Sequence, residues 1–347
     1  MRHPYPIREI ARQAGLSTAT VDRVLHNRGN VRESTIREVR EAITALDRQR
    51  TQVRIGGRTF MIDIVMQAPE RFSTAVREAL EAELPSLHPA VVRSRFHFRE
   101  SCPPGELVGV LDKIAKRGSQ GVILKAPDVP EIAAAVGRLV QAGVPVVTLV
   151  TDLPLSARRA YIGIDNRAAG ATAAYLLQQW LGDRPGNVLT TISRSSFRGE
   201  EEREMGFRSA MRLADPKRSV VEVTDSDGLD ATQRDLVLEA LERDGDIVAV
   251  YSMGGGNLAT LEAFAALGRS CAVFVAHDLD HDNTRLLRDR RISAVLHHDL
   301  RQDVRRACQT VMRAHKALPD DGPALPSAIQ VVTPFNLPPD VPPPPSG

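Results

Sequence analysis

From Phe60 onward the chain repeats one pattern, and that pattern restricts its fold more than any other feature. Eleven short apolar cores alternate with helix-length amphipathic segments. The cores are FMIDIVM, VVRSRFHF, GVILK, PVVTLV, AYIGI and NVLTTI, then SVVEV, DIVAVY, AVFVA, ISAVL and IQVV. Strands separated by helices build parallel sheets covered on both faces, and strands buried on both faces read as continuous apolar runs. Eleven strands over about 275 residues suit two lobes better than one sheet. Ligands of such lobes bind outside the carboxyl ends of the strands, so every strand-end loop is a candidate site.

The first 58 residues follow a different rule. They hold 12 Arg, no Lys and 6 acidic residues, a net charge of +6, while the remainder is −4. Ile7, Ile10, Ala11 and Ala14 repeat at helical spacing, and Gly15 then stops the helix. Ser17 is a good N-cap for a second helix with Val21, Val24 and Leu25 on its apolar edge. A third helix is expected from about Glu33, with Ile36, Val39, Ile43 and Leu46 on one face. Three short helices, the first two joined by a tight turn, make a helix-turn-helix. With the apolar edge inward, Thr18, Ala19, Asp22, Arg23 and His26 face out. Thr and Ala suit a thymine methyl and Arg pairs bidentately with guanine, so this helix start fits a DNA major groove. The same pattern also describes a plain solvated hairpin; the basic excess favours DNA.

Residues 7–47, beginning IREIARQAGLSTATVDRVLHN, resemble the DNA-binding head of the lactose/galactose repressor (LacI-type) family. The resemblance places Thr18, Ala19 and Arg23 where that family reads bases, and Ser17, Thr20, Asn27 and Thr35 near phosphates. Asp22 departs from the family's small hydroxyl residue; it either meets a cytosine amine or orients Arg23. The family's Tyr-x-x-Asn turn and hinge helix are replaced by RQRTQVRIGGRTF, in which Val53 or Ile55 is the candidate minor-groove wedge and Gly56-Gly57 weakens any helix.

The resemblance also implies an architecture: an all-α helix-turn-helix head (1–50), a linker (51–59) and a two-lobed, periplasmic-binding-protein-like α/β body (60–335) of two parallel-sheet, Rossmann-like lobes. The first lobe is expected at about 60–161 plus 292–320 and the second at about 162–291 plus 321–335, followed by a Pro-rich tail (336–347). In the segment VTLVTDLPLSARRAYIGIDNRAAG, similar to the crossing segment of sugar-sensing members, Asp165 and Asn166 fall at the crossover and Asp152 follows the preceding strand. Asp165 also reads as a simple helix cap. In SRSSFRGEEEREMGFRSAM the family's ligand-holding Arg corresponds to Arg203, with Arg198 a near alternative and a surface ion pair with the adjacent Glu residues the plainer reading. In VFVAHDLDHDN the family's hydroxyl-accepting Asp corresponds to Asp278. A metal site built from that run has no recognised ligand spacing, so no metal is expected. The loop GGGN places Asn257 beside the cleft in sugar-sensing relatives; taken alone it is a weak phosphate cradle. His298 borders the cleft, and Phe72 and Phe197 are the candidate stacking rings.

No run approaches the ~20 apolar residues of a membrane span, and MRHPYPIREIARQAG lacks the apolar core of a secretory signal. Three widely spaced cysteines, Cys102, Cys271 and Cys308, suit free thiols in a reducing cytosol. The end, PPDVPPPPSG, holds no tetramer-forming Leu heptad, so a homodimer is expected. The reading is a cytoplasmic, non-enzymatic regulator that binds a palindromic DNA operator and a small sugar-like effector, without a cofactor. Its competitors are a solute-binding protein with no DNA role and a Rossmann-type oxidoreductase built around GGGN.

Overall fold

The structure, a computed structural model, describes residues 4–29, 31–320 and 322–338. The head is α1 (Ile7–Ala14), α2 (Thr18–Leu25) and α3 (Glu33–Ile55). Gly15 ends α1 in the left-handed region at φ 65°, and Ser17 caps α2 by accepting from the Thr20 amide at 3.1 Å. Ile10, Ala11, Val21, Val39, Ala42 and Leu46 close a small core with Tyr5. The third helix continues to Ile55 as one element, so the first five residues of the expected linker are helical. Of the Pro-rich tail, residues from 339 on lie outside the described residues.

All eleven apolar cores are strands. The first sheet has the order β2-β1-β3-β4-β5, from β1 (Thr59–Gln67), β2 (Val91–Arg99), β3 (Gly121–Lys125), β4 (Val146–Leu149) and β5 (Ala160–Ile162). Between these strands run α4 (Glu70–Glu83), α5 (Pro104–Arg117) and α6 (Pro130–Gln141). The chain then crosses and continues as α7 (Asn166–Leu181), β6 (Asn187–Thr191), α8 (Arg198–Ala214), β7 (Val220–Val223), α9 (Asp230–Arg243), β8 (Ile247–Ser252), α10 (Asn257–Ala266), β9 (Val273–His277), α11 (His281–Arg288) and β10 (Ala294–His297). It crosses back as α12 (Leu300–Ala314) and crosses a third time into β11 (Gln330–Val332).

The second sheet has the order β11-β10-β9-β8-β6-β7, parallel except for the β10–β11 pair. β10 pairs with β9 in this sheet, so the return to the first lobe comes after residue 297, not at the 292 boundary read from sequence. Only α12 goes back: Val304, Ala307, Cys308 and Val311 pack with Phe60, Ile62 and Ile123 under the first sheet. Each sheet buries apolar side chains on both faces, which is why its strands carry little alternation. Among the described residues no helix is long and apolar enough to cross a membrane.

One polar side chain inside β1 breaks the apolar rule. Asp63 is fully buried, and Arg95 (2.8 Å), His97 (2.8 Å) and Arg117 (2.6 Å) all meet its carboxylate. Burial pushes that carboxyl up, and the hydrogen bonds from His97, Ser119 and Arg95 outweigh it, holding it below the usual range.

The α7–α8 pair depends on two glycines. A Cβ at Gly170 would sit 1.9 Å from the Arg203 carbonyl oxygen, and one at Gly206 would sit 2.1 Å from the Arg167 carbonyl oxygen. The two backbones are therefore in direct contact, and Arg203 is placed by that contact. Gly170→Ala should cost ~3 kcal/mol in forced separation, offset by ~1 kcal/mol of helix propensity, for a net loss of about 2 kcal/mol. Gly137→Ala on α6, where a Cβ meets nothing within 4 Å, should be neutral or stabilising. Urea denaturation of both variants checks this; equal midpoints would remove the close-packing argument.

Candidate functional site

The carboxyl ends of the strands of both sheets converge on one opening, as parallel α/β lobes require. A cavity of about 60 Å³ lies there. Its first-lobe side carries Gln67 at the end of β1, Arg71 and Phe72 on α4 and Lys125 at the end of β3; its second-lobe side carries Phe197 just before α8, Glu200 and Arg203 in its first turns, His277 at the end of β9, and Asp278 and Asp280 after it.

Arg203 is 3% exposed. Its Nε donates to Asn166 Oδ1 at 2.8 Å and its Nη1 to the Met253 carbonyl at 3.1 Å; Nη2 has no partner among the described residues. Lys125 donates to the Gln67 carbonyl at 3.2 Å, and its ammonium lies 5.6 Å from the Phe72 ring centroid and 4.2 Å from that of Phe197. Burial lowers the Lys125 pKa to about 8, against the pull of Glu200 and Asp278.

Asp278 adopts φ 64°, a left-handed conformation that its short polar side chain tolerates. Its Oδ1 lies 3.4 Å from His298 Nε2, off the hydrogen-bond line. His298 Nδ1 meets Asp303 Oδ2 at 2.5 Å, and Asp303 Oδ1 accepts from Ser327 Oγ at 2.5 Å. Burial disfavours the His298 charge, yet the adjacent Asp278 carboxylate and the hydrogen bond to Asp303 outweigh burial and raise its pKa to about 9. Burial likewise works against the Asp278 charge, but His298, Arg203 and His277 hold it well below the carboxylate range. His277 is buried against the Tyr251 hydroxyl at 2.7 Å; burial and Arg203 keep it neutral, well below its ordinary value.

A family model described as "Periplasmic binding protein domain" matches residues 64–317. The chain belongs to that family. A second, described as "Bacterial regulatory proteins, lacI family", matches residues 6–48, so the periplasmic-binding-protein body carries a lacI-type head. Neither is an enzyme family. Among solved structures the body is similar to GanP, a glucose-galactose binding protein from Geobacillus stearothermophilus, at TM-score 0.71 and 18% identity over 81% of this chain and 99% of that one. It is also similar to a chain assigned as a LacI transcriptional regulator from Bacteroides fragilis (TM-score 0.70, 15% identity, 80% and 98% covered). A third is a carbohydrate transporter from Acidothermus cellulolyticus in complex with myo-inositol (TM-score 0.69, 16%, 80% and 95%). At such identities these likenesses establish the fold alone. No curated protein sequence matches the chain.

In this periplasmic-binding-protein body the expected residues separate into two groups. Phe72, Phe197, Arg203 and Asp278 line the cavity together. Six others stand outside its lining. Asp165 is exposed and caps α7, accepting from the Ala168 amide at 3.0 Å. Asp152 is engaged by Arg158, Thr148 Oγ1 (2.8 Å) and the Leu153 amide (2.8 Å). Arg198 pairs with Glu201 at 3.0 Å and Glu202 at 3.1 Å, the ion-pair fate that had been weighed for Arg203. Asn257 donates to Asn283 Oδ1 at 2.6 Å from the buried start of α10. Asn166 and His298 stand one step behind the lining, holding Arg203 and Asp278 respectively.

The sequence reading missed Lys125, Arg71 and Asp280. Lys125 was visible as the one charge in the apolar run GVILK, at its carboxyl end. The GGGN glycines have a reason other than phosphate: a Cβ at Gly255 would lie 1.9 Å from Arg71 Nη2, and one at Gly254 would lie 2.3 Å from the Ser193 amide nitrogen. Arg71 reaches across to pair with Asp280 at 3.1 Å and to donate to the Gly228 carbonyl at 2.9 Å. The HDLDHD run is likewise divided among separate roles: Asp280 caps α11 through the Asn283 amide at 2.7 Å, and burial raises its pKa to about 6.

On the head, Ser17, Thr18, Ala19 and Arg23 are exposed on one end of α2, Thr20 and Thr35 are half-buried, and Asn27 turns the chain at φ 51°. Asp22 pairs with Arg28 at 2.9 Å and His26 at 3.0 Å, so it does not orient Arg23. Two basic neighbours are the nearer charges.

The raised His298 pKa sets a pH window. A folded pKa of about 9 above the ordinary 6.5 contributes stability fully present below about pH 6.5 and lost as pH rises through 9. The stability gap between the parent and His298→Gln should therefore be widest near pH 6 and shrink toward pH 9. Denaturant midpoints across that window test it; a gap independent of pH would mean His298 is neutral in the fold.

Proposed function

We propose that this chain is a DNA-binding transcriptional regulator that acts as a homodimer in the cytoplasm, with operator affinity set by a small polyhydroxylated effector closed between the two lobes. The observation that carries the reading is the pairing, in one chain, of an exposed helix start on a basic head with a cavity holding a buried guanidinium and a carboxylate. Sugar-like ligands fit that cavity chemically, as the names of the solved relatives of the body also suggest. Arg203 Nη2 offers a donor and Asp278 Oδ1 an acceptor that the protein leaves without a hydrogen bond. Phe72 and Phe197 supply apolar faces. A ligand with several hydroxyls has to have them paired once shut in, because each unpaired buried polar group costs ~1–3 kcal/mol.

Closure is supported by bonds that already span the lobes. The Asp128 amide donates to the Ser196 carbonyl at 2.8 Å, and the Gly199 amide donates to Thr151 Oγ1 at 2.9 Å. Effector binding that favours this arrangement changes operator affinity, and linkage requires the operator to change effector affinity by the same factor. An oxidoreductase built on GGGN finds no support, because Arg71 and Ser193 fill the space above those glycines.

For the head, we expect a palindromic operator with half-sites about one helical turn apart. Arg23→Ala should weaken operator binding by ~1–3 kcal/mol and relax preference at one base per half-site. Selection from a random DNA pool checks it: identical sites for variant and parent would take Arg23 off the list of base readers.

For the cleft, Arg203→Ala and Asp278→Ala should each bind operator yet lose its response to effector. Operator affinity at fixed salt, with and without an effector found by a thermal-shift screen of sugars and polyols, decides. Response equal to the parent in both variants would sink the pocket assignment.

A further inference from the structure

Of the charges that line the cavity, two buried cations stand out of contact with any carboxylate among the described residues. Five carboxylates line it, and each is engaged. Asp227 pairs with Arg194 and accepts from Ser101 at 3.0 Å. Asp280 pairs with Arg71 at 3.1 Å, and Asp278 lies 3.4 Å from His298. Both oxygens of Glu200 accept from Ser193, its amide and its hydroxyl, at 2.6 Å each, and Glu100 accepts from the Glu70 amide at 2.9 Å. Of the three lining Lys and Arg side chains, Arg71 is spent on Asp280. Lys125 and Arg203 are left, both buried, and neither has a carboxylate within 4.0 Å among the described residues. Their hydrogen-bond partners are neutral oxygens only: the Gln67 carbonyl for Lys125, Asn166 Oδ1 and the Met253 carbonyl for Arg203.

Glu200 and Asp278 act on Lys125, and Asp278 on Arg203, only from beyond ion-pair distance, and a buried cation without a direct ion pair is costly to a fold. The aromatic faces point the same way. The Lys125 ammonium lies 4.2 Å from the Phe197 centroid and 5.6 Å from that of Phe72, so the rings suited to a sugar face hold the cation instead. A neutral polyol has to displace it from both rings and offers no charge in return. An anion draws it into the cavity and frees both rings.

We propose that the effector bears an anionic group, a carboxylate or a phosphate, on its polyhydroxylated skeleton, and that Lys125 from the first lobe and Arg203 from the second take that group together. This rests on the effector reading above and narrows its ligand class to sugar acids or phosphorylated sugars. A group held from both sides also acts as the bolt between the lobes, since Lys125 ends β3 of the first lobe and Arg203 lies on α8 of the second.

The test is calorimetric titration of the full-length chain at pH 7 with matched ligands: D-glucose, D-glucuronate and glucose 6-phosphate; D-galactose, D-galacturonate and galactose 6-phosphate; D-ribose, ribonate and ribose 5-phosphate. At least one acidic member should bind tenfold or more tighter than its neutral parent, and whether it is a carboxylate or a phosphate identifies the group. Lys125→Met, which keeps the length and removes the charge, should abolish that preference. Without ligand this variant should melt at a higher temperature than the parent, because a buried cation without a direct ion pair is gone; that measurement also shows that it folds. Neutral sugars binding as tightly as their acids would overturn the anion while leaving the effector reading in place. An acidic preference that survives Lys125→Met, or a lower melting temperature for that variant, would overturn the role of Lys125. Binding of no member of either kind would bring down the effector reading and this inference together.

Discussion

The buried carboxylate of Asp303 is the constraint on which the two-lobed arrangement depends. It is fully buried at the base of α12, where the chain has just returned to the first lobe. Its Oδ2 meets His298, in the second crossing, and its Oδ1 takes the hydroxyl of Ser327, in the third. Ser327 in turn donates its amide to the Gly163 carbonyl at 2.8 Å and bridges to Ile164, in the first crossing. All three crossings are therefore tied to one another around a single acid. Arg306, one turn along α12, donates to Ser327 Oγ at 2.9 Å and brings a cation to 3.8 Å from Asp303. An uncompensated buried charge would be expensive at a hinge; here each of its oxygens is matched.

The same network reaches the cavity. His298 stands between Asp303 and Asp278, so the imidazole that locks the crossings also holds the acid facing the cleft. Whatever competes for the Asp278 oxygen acts on a group one bond removed from the hinge. The site is also strained where it is most enclosed. Asp278 sits at φ 64°, and Val150, a β-branched residue, sits at φ 68° in a tight γ-turn closed by the Thr151 amide on the Leu149 carbonyl at 2.8 Å. Strain of this kind persists only where the surroundings over-determine it, and it clusters at ligand clamps. Tyr161 is one of those surroundings: its hydroxyl lies 2.9 Å from the Ile164 carbonyl and 3.2 Å from that of Val150.

How much of this was readable in the sequence depended on the range of the interaction. Strands and helices follow from local apolar spacing, and the eleven cores and three head helices emerged at their expected places. Gly15 and Ser17 punctuate the head as their backbone chemistry demands. The cleft is non-local, and there the reading divided. Arg203 and Asp278, placed by the resemblance relative to a helix glycine and a strand end, do line the cavity. Asp165 and Arg198 carry equally suggestive neighbours yet point elsewhere, one to its own helix start and the other to glutamates three and four residues on. Nothing in a one-dimensional pattern separates an Arg three residues before Gly206 from one a turn earlier; the α7–α8 backbone contact does. Likewise the crossing after β10 was placed a strand too early, because an apolar run does not reveal which of two parallel sheets it joins.

The connection between head and body shows what kind of coupling the chain permits. α3 runs unbroken to Ile55, Gly56 and Gly57 follow with Gly57 at φ 75°, and β1 starts at Thr59. Two adjacent glycines are the most permissive backbone pair available, so the direction of α3 is not fixed by the strand that follows. β1 itself is nine residues long, flanked by β2 and β3 in the first sheet, and ends at Gln67, which lines the cavity and whose carbonyl holds Lys125. One rigid strand thus links the permissive joint to the cleft. A signal passing this way cannot be a torque on a helix, because the glycine pair would absorb it. In the homodimer proposed above it has to be a change in where the amino-terminal ends of the two first lobes sit relative to each other.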